Sequence, residues 1–190
     1  MSFEQTVRVS LDRVGVLVGK NGSVKNEIEN SCGVSLAIES STGEVTITSK
    51  GDPAETKPFK AVDVVNAIGR GFSPERAFRL FDEDAVLNVM DLRLYAGKSE
   101  SAMTRIKGRI IGLGGKSRKL IEQLSGTYIS VYGHSVGILG TVSEVKLATD
   151  AIDRLASGST HRTVFQMLER TRTKAKLGRM MLWEKGPIGE

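Results

Sequence analysis

The sequence predicts an α+β fold: two copies of one βααββα module, each a three-stranded antiparallel sheet with helices on one face, followed by a C-terminal helix. Three observations predict it. The chain aligns with itself without gaps at an offset of 93 positions, so that Gly15, Gly19, Gly22 and Gly33 meet Gly108, Gly112, Gly115 and Gly126. Internal self-similarity of this kind marks a repeated structural unit. Within each copy the apolar residues change from a period of two to a period near 3.6 and back, the signature of strands alternating with helices. The glycines fall where the period changes, as chain-reversing residues should.

In the first copy, residues 6–11 alternate in polarity and read as a strand. The apolar stretch 14–18 reads as a helix stopped at Gly19, and Ser23 is placed to cap a second helix running to about Ser31. Val24 and Ile28 fall on its inner face, and Gly33 ends it. Residues 35–39 and 44–49 form two strands joined through Gly43; Pro53 then opens, and residues 59–68 carry, a closing helix. The second copy repeats this order with a strand at 85–91, helices at 101–111 and 116–124, strands at 128–132 and 136–140, and a closing helix at 143–156. A linking helix is expected over 74–81, after Gly69 and Gly71. Gly158, Ser159 and Thr160 read as a stop followed by an N-cap for a C-terminal helix. The expected division is therefore 1–72 for the first module, 73–82 for the link, 83–157 for the second module and 158–190 for a basic C-terminal helix and tail.

The 190 residues carry 27 Lys and Arg against 22 Asp and Glu, a formal charge of +5. That favours a polyanionic partner, though a solvated basic surface gives the same balance. The excess sits at the C-terminal end, where Arg162, Arg170, Arg172, Lys174, Lys176, Arg179 and Lys185 face only Glu169 and Glu184. Packing on the second module and direct contact with a nucleic acid are equally open to that helix. Cys32 is the single cysteine, which excludes an intramolecular disulfide, and with His134 and His161 it makes no zinc ligand set. It reads as a small buried thiol. No metal, cofactor, small-molecule substrate or membrane partner is expected, and the missing signal-peptide pattern points to the cytoplasm.

The glycine-bounded loops carry the chemistry. A glycine lets backbone approach a phosphate closely, and a helix starting just beyond aims unpaired N–H groups and the positive end of its dipole at the anion. The first loop, Gly19, Lys20, Asn21 and Gly22, adds a lysine, with Lys25 one turn further on. The second, Gly112, Leu113, Gly114 and Gly115, has no charge of its own, but Arg109 precedes it and Lys116, Arg118 and Lys119 follow. Neither loop fits a Walker A motif, because Val14 and Ile110 stand where its first glycine belongs.

A G-x-x-G loop between two helices, twice and in register, resembles the KH family in its type I form. That resemblance implies binding of single-stranded RNA, with each loop clamping the backbone of about four nucleotides and bases lying in a narrow apolar groove. The groove would draw on Val18, Ile28 and Leu36 in the first module and on Ile111, Leu113, Ile121 and Ile129 in the second, with plain core the favoured reading of Leu36 and Ile129. An aromatic content of 5% argues against a ring-stacking RNA sheet. More narrowly, the run from Arg109 to Tyr132 and the sequence Gly158, Ser159, Thr160 and His161 resemble the Dim-two, or partner-of-Nob, family of small-subunit assembly factors in its compact archaeal form. This implies binding of ribosomal RNA near the small-subunit 3′ end during maturation, beside an endonuclease partner. Two other readings stand next to it: a KH regulator of mRNA or translation, and a metal-dependent nuclease using Asp82, Glu83 and Asp84. Three consecutive carboxylates cannot all face one ion on a helix or strand, so a non-enzymatic binder is expected.

Overall fold

The computed structural model describes residues 3–49, 51 and 56–184, the last six of these by backbone alone. Alternating β-branched residues build the first sheet, β1 (Phe3–Arg8), β2 (Ser35–Glu39) and β3 (Glu44–Ser49), antiparallel in the order β1-β3-β2. Val7 and Ile38 both lie opposite Val45, and Leu36 lies opposite Ile47. Their inner face is covered by α1 (Leu11–Val18), α2 (Ser23–Cys32) and α3 (Pro58–Gly69), whose Leu17, Ile28, Val65 and Ile68 are fully buried. Cys32 is buried as expected, and burial pushes its thiol up to about 11.

Two expectations at the helix starts need correction. Ser23 is the first residue of α2 and not its cap; Gly22, in the left-handed region, occupies the N-cap, and no side chain caps the helix. Pro58 sits in the first turn of α3, where a missing N–H costs nothing, whereas Pro53 lies outside the described residues.

The link is helical only over α4 (Pro74–Ala77) and tightens into a 3-10 turn at Phe78–Phe81. The second module follows with β4 (Ala85–Asp91), a one-turn α5 (Arg93–Ala96), α6 (Glu100–Ile111), α7 (Lys116–Ser125), β5 (Tyr128–Tyr132), β6 (Ser135–Thr141) and α8 (Val142–Ala156). Its sheet, in the order β4-β6-β5, has the topology of the first. The α5 turn is unforeseen, because four residues are too few to show a period. Its start is fixed by the Asp91 carboxylate, which accepts from Arg93 N–H at 2.9 Å. At the other end α9 (His161–Glu184) begins where Thr160 Oγ1 accepts from Thr163 N–H at 3.3 Å.

The modules share more core than their sequence boundaries imply. The second sheet has helices on one face, where Ile129, Val136 and Ile138 are buried, but its other face is covered by the first module and the link. Ala85 and Leu139 join a core that includes Phe72, Ala77 and Leu80. Around that seam, Arg76 pairs with Glu122 at 3.1 Å and Arg79 with Glu144 at 3.0 Å, and both guanidinium groups stand over the Tyr128 ring. Arg70 carbonyl accepts from Ser130 Oγ, and Tyr132 hydroxyl donates to Asp12 at 2.6 Å.

Candidate nucleic-acid interface

Each loop leaves one helix and enters the next through the same backbone path. α1 stops at Gly19 (φ 73°, ψ 179°) and α6 at Gly112 (φ 71°, ψ 174°), a region that side chains with a Cβ essentially never adopt. Space enforces the same choice: a Cβ on Gly19 would stand 2.5 Å from Val24 Cγ2, and one on Gly112 would stand 2.6 Å from Ser117 Cβ. The third loop position is left-handed in both, Asn21 at φ 54° and Gly114 at φ 58°. Asn is among the few residues that tolerate this conformation, so two different residues meet one backbone requirement.

Neither α2 nor α7 receives a side-chain cap; the loop itself takes the first N–H of each helix, Ser23 N–H donating to the Lys20 carbonyl and Lys116 N–H to the Leu113 carbonyl, and the rest of each first turn has no capping side chain. Lys20, Asn21, Leu113, Gly114, Lys116 and Lys119 are exposed around the two turns. Lys25 is half-buried and lies 3.9 Å from Glu29. In α7, the Arg118 Nε and Ser117 Oγ atoms are buried without a partner among the described residues.

A repeated bond fixes each helix to the strand beside it. Glu29 Oε1 accepts from Leu36 N–H at 2.7 Å, and Glu122 Oε1 accepts from Ile129 N–H at the same distance. Both pairs obey the 93-residue offset. Between helix and strand, the apolar side chains still partly open to solvent are Val18 and Ile38 in one module and Ile111 and Val131 in the other, with Leu113 86% exposed at the tip of the second loop.

Models of known families match this architecture. The model of the second KH domain of PNO1, described as a eukaryotic-type KH domain of type I, matches residues 86–173, and a general KH-domain model matches residues 4–61. A KH domain-containing protein of Methanocaldococcus jannaschii is 43% identical over 184 residues, which is 95% of this chain and 79% of the relative. This chain belongs to the PNO1/Dim2 family of KH-domain proteins. A Pyrococcus horikoshii chain in a crystal of the a/eIF2alpha–aDim2p–rRNA complex matches with a TM-score of 0.84 and 44% identity, over 91% of this chain and 96% of its own. The pre-rRNA-processing protein pno1 of Schizosaccharomyces pombe is 30% identical over 118 residues, and the match spans about half of its length (49%).

Within this KH frame, three of the residues read from sequence take other roles. Ile28, Leu36, Ile121 and Ile129 are fully buried or nearly so, which makes them core beneath the groove and withdraws Ile28 and Ile121 from base contact. Ile38 and Val131, one alternation further along the strands, take their place at the surface. The signal was present in the alternating run 35–38 and its repeat, but hydrophobicity alone does not rank depth. Arg109 is also reassigned. Its Nε donates to Leu155 carbonyl at 3.0 Å and its second nitrogen to Ser159 carbonyl, so the guanidinium ties α6 to the end of α8 instead of facing RNA. His161 Nε2 donates to the Arg109 carbonyl at 2.8 Å, which anchors the Gly158 to His161 segment on the same helix.

Proposed function

We propose that this chain binds single-stranded ribosomal RNA through its two G-x-x-G loops, near the 3′ end of the small-subunit RNA, during subunit maturation. The carrying observation is the pair of loops that match within a few degrees, each opening an uncapped helix toward solvent. Such a turn presents backbone N–H groups and helix-dipole charge to a phosphate, while Val18, Ile38, Ile111 and Val131 offer the bases an apolar floor. The rRNA bound by the Pyrococcus relative and the pre-rRNA processing named for the yeast one support the target. The protein acts as a binder in the cytoplasm, and an endonuclease partner carries out the cleavage it accompanies.

The test is to crosslink the protein to RNA in cells and sequence what is attached. Enrichment of the small-subunit 3′ region is the expected result. Sites scattered over mRNA would favour a regulator of translation, and cleavage of RNA by the purified protein with Mg²⁺, lost on neutralising Asp82 and Asp84, would favour a nuclease.

A further inference from the structure

A polar cleft of 640 Å³ lies where the two modules meet, and no residue of either glycine loop lines it. One wall is the end of β1 and the end of α3, with Arg8, Asn66 and Arg70; the other is the end of β4 and the β5–β6 turn, with Asp91, Arg93 and His134. The charges on these walls are unequal. Arg93 is committed to Asp91, with Nε 3.0 Å from both carboxylate oxygens and a terminal nitrogen at 2.6 Å, and the pair holds the Asp91 carboxyl down at about 2. Arg8 makes no hydrogen bond or ion pair through its side chain among the described residues, although Glu44 is its neighbour across the strands. The Arg70 guanidinium donates only to Ser135 Oγ, at 3.4 Å, a neutral partner across the cleft. Two exposed, uncompensated cations therefore face one polar trough.

Position decides what they serve. Helix α1 starts beside the cleft, just after Val9 and Ser10 in its lining, and ends at Gly19; eight residues of helix span about 12 Å. On the other side, β5 forms one flank of the second module's groove and ends at the turn holding Gly133 and His134. The cleft thus adjoins the elements that lead to both binding grooves. We propose that it is a third RNA contact, in which Arg8 and Arg70 hold the phosphodiester backbone of the strand segment joining the two loop-bound segments. Arg8 and Arg70 are solvated, so a small anion gains little from them, whereas a polyanion releases counterions for each cation it meets. The proposal rests on loop binding, and it adds the route between the loops.

The experiment uses the full chain, a single-stranded RNA of about six nucleotides, slightly longer than the about four that one loop clamps, and one of about twenty. Replacing Arg8→Gln together with Arg70→Gln is expected to weaken binding of the long RNA about tenfold and to reduce its salt slope by about 1.4, at about 0.7 per lost contact. The short RNA should bind both proteins alike. Arg8→Gln alone, which removes no contact within the fold, should give half of the slope change and an unaltered melting temperature. Long-RNA binding and slope unchanged in the double variant would overturn the proposal, as would equal weakening for both RNAs, which would reveal a general field and not a strand path. Absence of short-RNA binding in the parent protein would instead overturn the loop reading.

Discussion

At the residue scale, the two loops share a backbone but differ in what they tolerate. Asn21 already occupies the left-handed region, where Asp is also accommodated, so Lys20→Asp with Asn21→Asp places two negative charges in the first loop at little conformational cost. RNA affinity should fall more than tenfold, about 1.4 kcal/mol, while the melting curve stays put. In the second loop, Leu113→Asp with Gly114→Asp should weaken binding less, because no lysine is lost there, yet lower stability by up to about 1 kcal/mol, since Gly114 stands at φ 58°. Fluorescence anisotropy with melting of the same samples separates the two effects. Gly19, Gly112 and their neighbours were legible in the sequence because glycine spacing reports backbone needs directly. Depth was not legible: Ile28 and Ile38 are equally apolar, and only the packing of the helices on the sheet decides that Ile28 lies at zero exposure and Ile38 does not. Arg109 misleads for a related reason. A basic residue beside a phosphate loop invites an ionic reading, and its true acceptors, Leu155 and Ser159 carbonyls, lie 46 and 50 positions away.

Among elements, the same arginine device appears twice. Arg13 on α1 donates through Nε to Ile68 carbonyl at 2.9 Å and through a terminal nitrogen to Phe72 carbonyl at 2.6 Å, just as Arg109 on α6 holds Leu155 and Ser159. Each reaches one carbonyl in the last turn of its module's closing helix, which also accepts a backbone N–H, and one just beyond that helix, and so locks it to the helix entering the loop. The two arginines do not align at the 93-residue offset, because Arg109 falls opposite Val16, which hides the equivalence from any comparison of the copies. Arg13→Met and Arg109→Met should each destabilise the fold by about 2 kcal/mol in urea titrations, the worth of the charge-assisted hydrogen bonds lost. The Arg109 variant, measured well below its unfolding midpoint, should keep the parent's salt slope for RNA, whereas Lys116→Gln should lower the slope by about 0.7. Cys32 at the end of α2 gives a second check on packing. Burial raises its thiol pKa to about 11, so the folded protein holds it protonated while the unfolded chain ionises at the ordinary value near 9. The stability tied to this group is complete below that ordinary value and is lost as pH rises toward 11. Iodoacetamide at pH 8.5 should therefore leave Cys32 unmodified in the folded protein and label it at once in urea.

For the whole molecule, the decisive feature is the seam between modules. The repeat predicts two units, and each does carry its own sheet and helices, but nothing in a periodic pattern says that one unit's link will roof the other's sheet. The outer face of the second sheet shows this in its composition only after the fact: β6 holds Gly137 and Gly140 and is buried along nearly its whole length. Gly137 is glycine because a Cβ there would meet Phe72 Cε2 at 2.6 Å, and Phe72, 2% exposed, is the ring that closes the seam. With apolar contact and hydrogen bonds crossing between modules, and two arginine–glutamate pairs tying the link to the second, their unfolding should be coupled, and calorimetry of the parent protein should show a single transition. Phe72→Ala opens a cavity and should cost about 3–5 kcal/mol. Gly137→Ala meets the ring and should also destabilise, through overpacking, by about 1–3 kcal/mol. The informative protein is the double variant, Phe72→Leu with Gly137→Ala, in which the smaller side chain leaves room for the added methyl group. Because the residues touch, their effects should not add; the double variant should be more stable than Gly137→Ala alone, with the positive coupling expected of neighbouring residues. Additive losses would mean that ring and glycine do not meet, and two separate calorimetric transitions in the parent protein would mean that the modules fold independently and that the distance between their loops is set by the RNA and not by the protein.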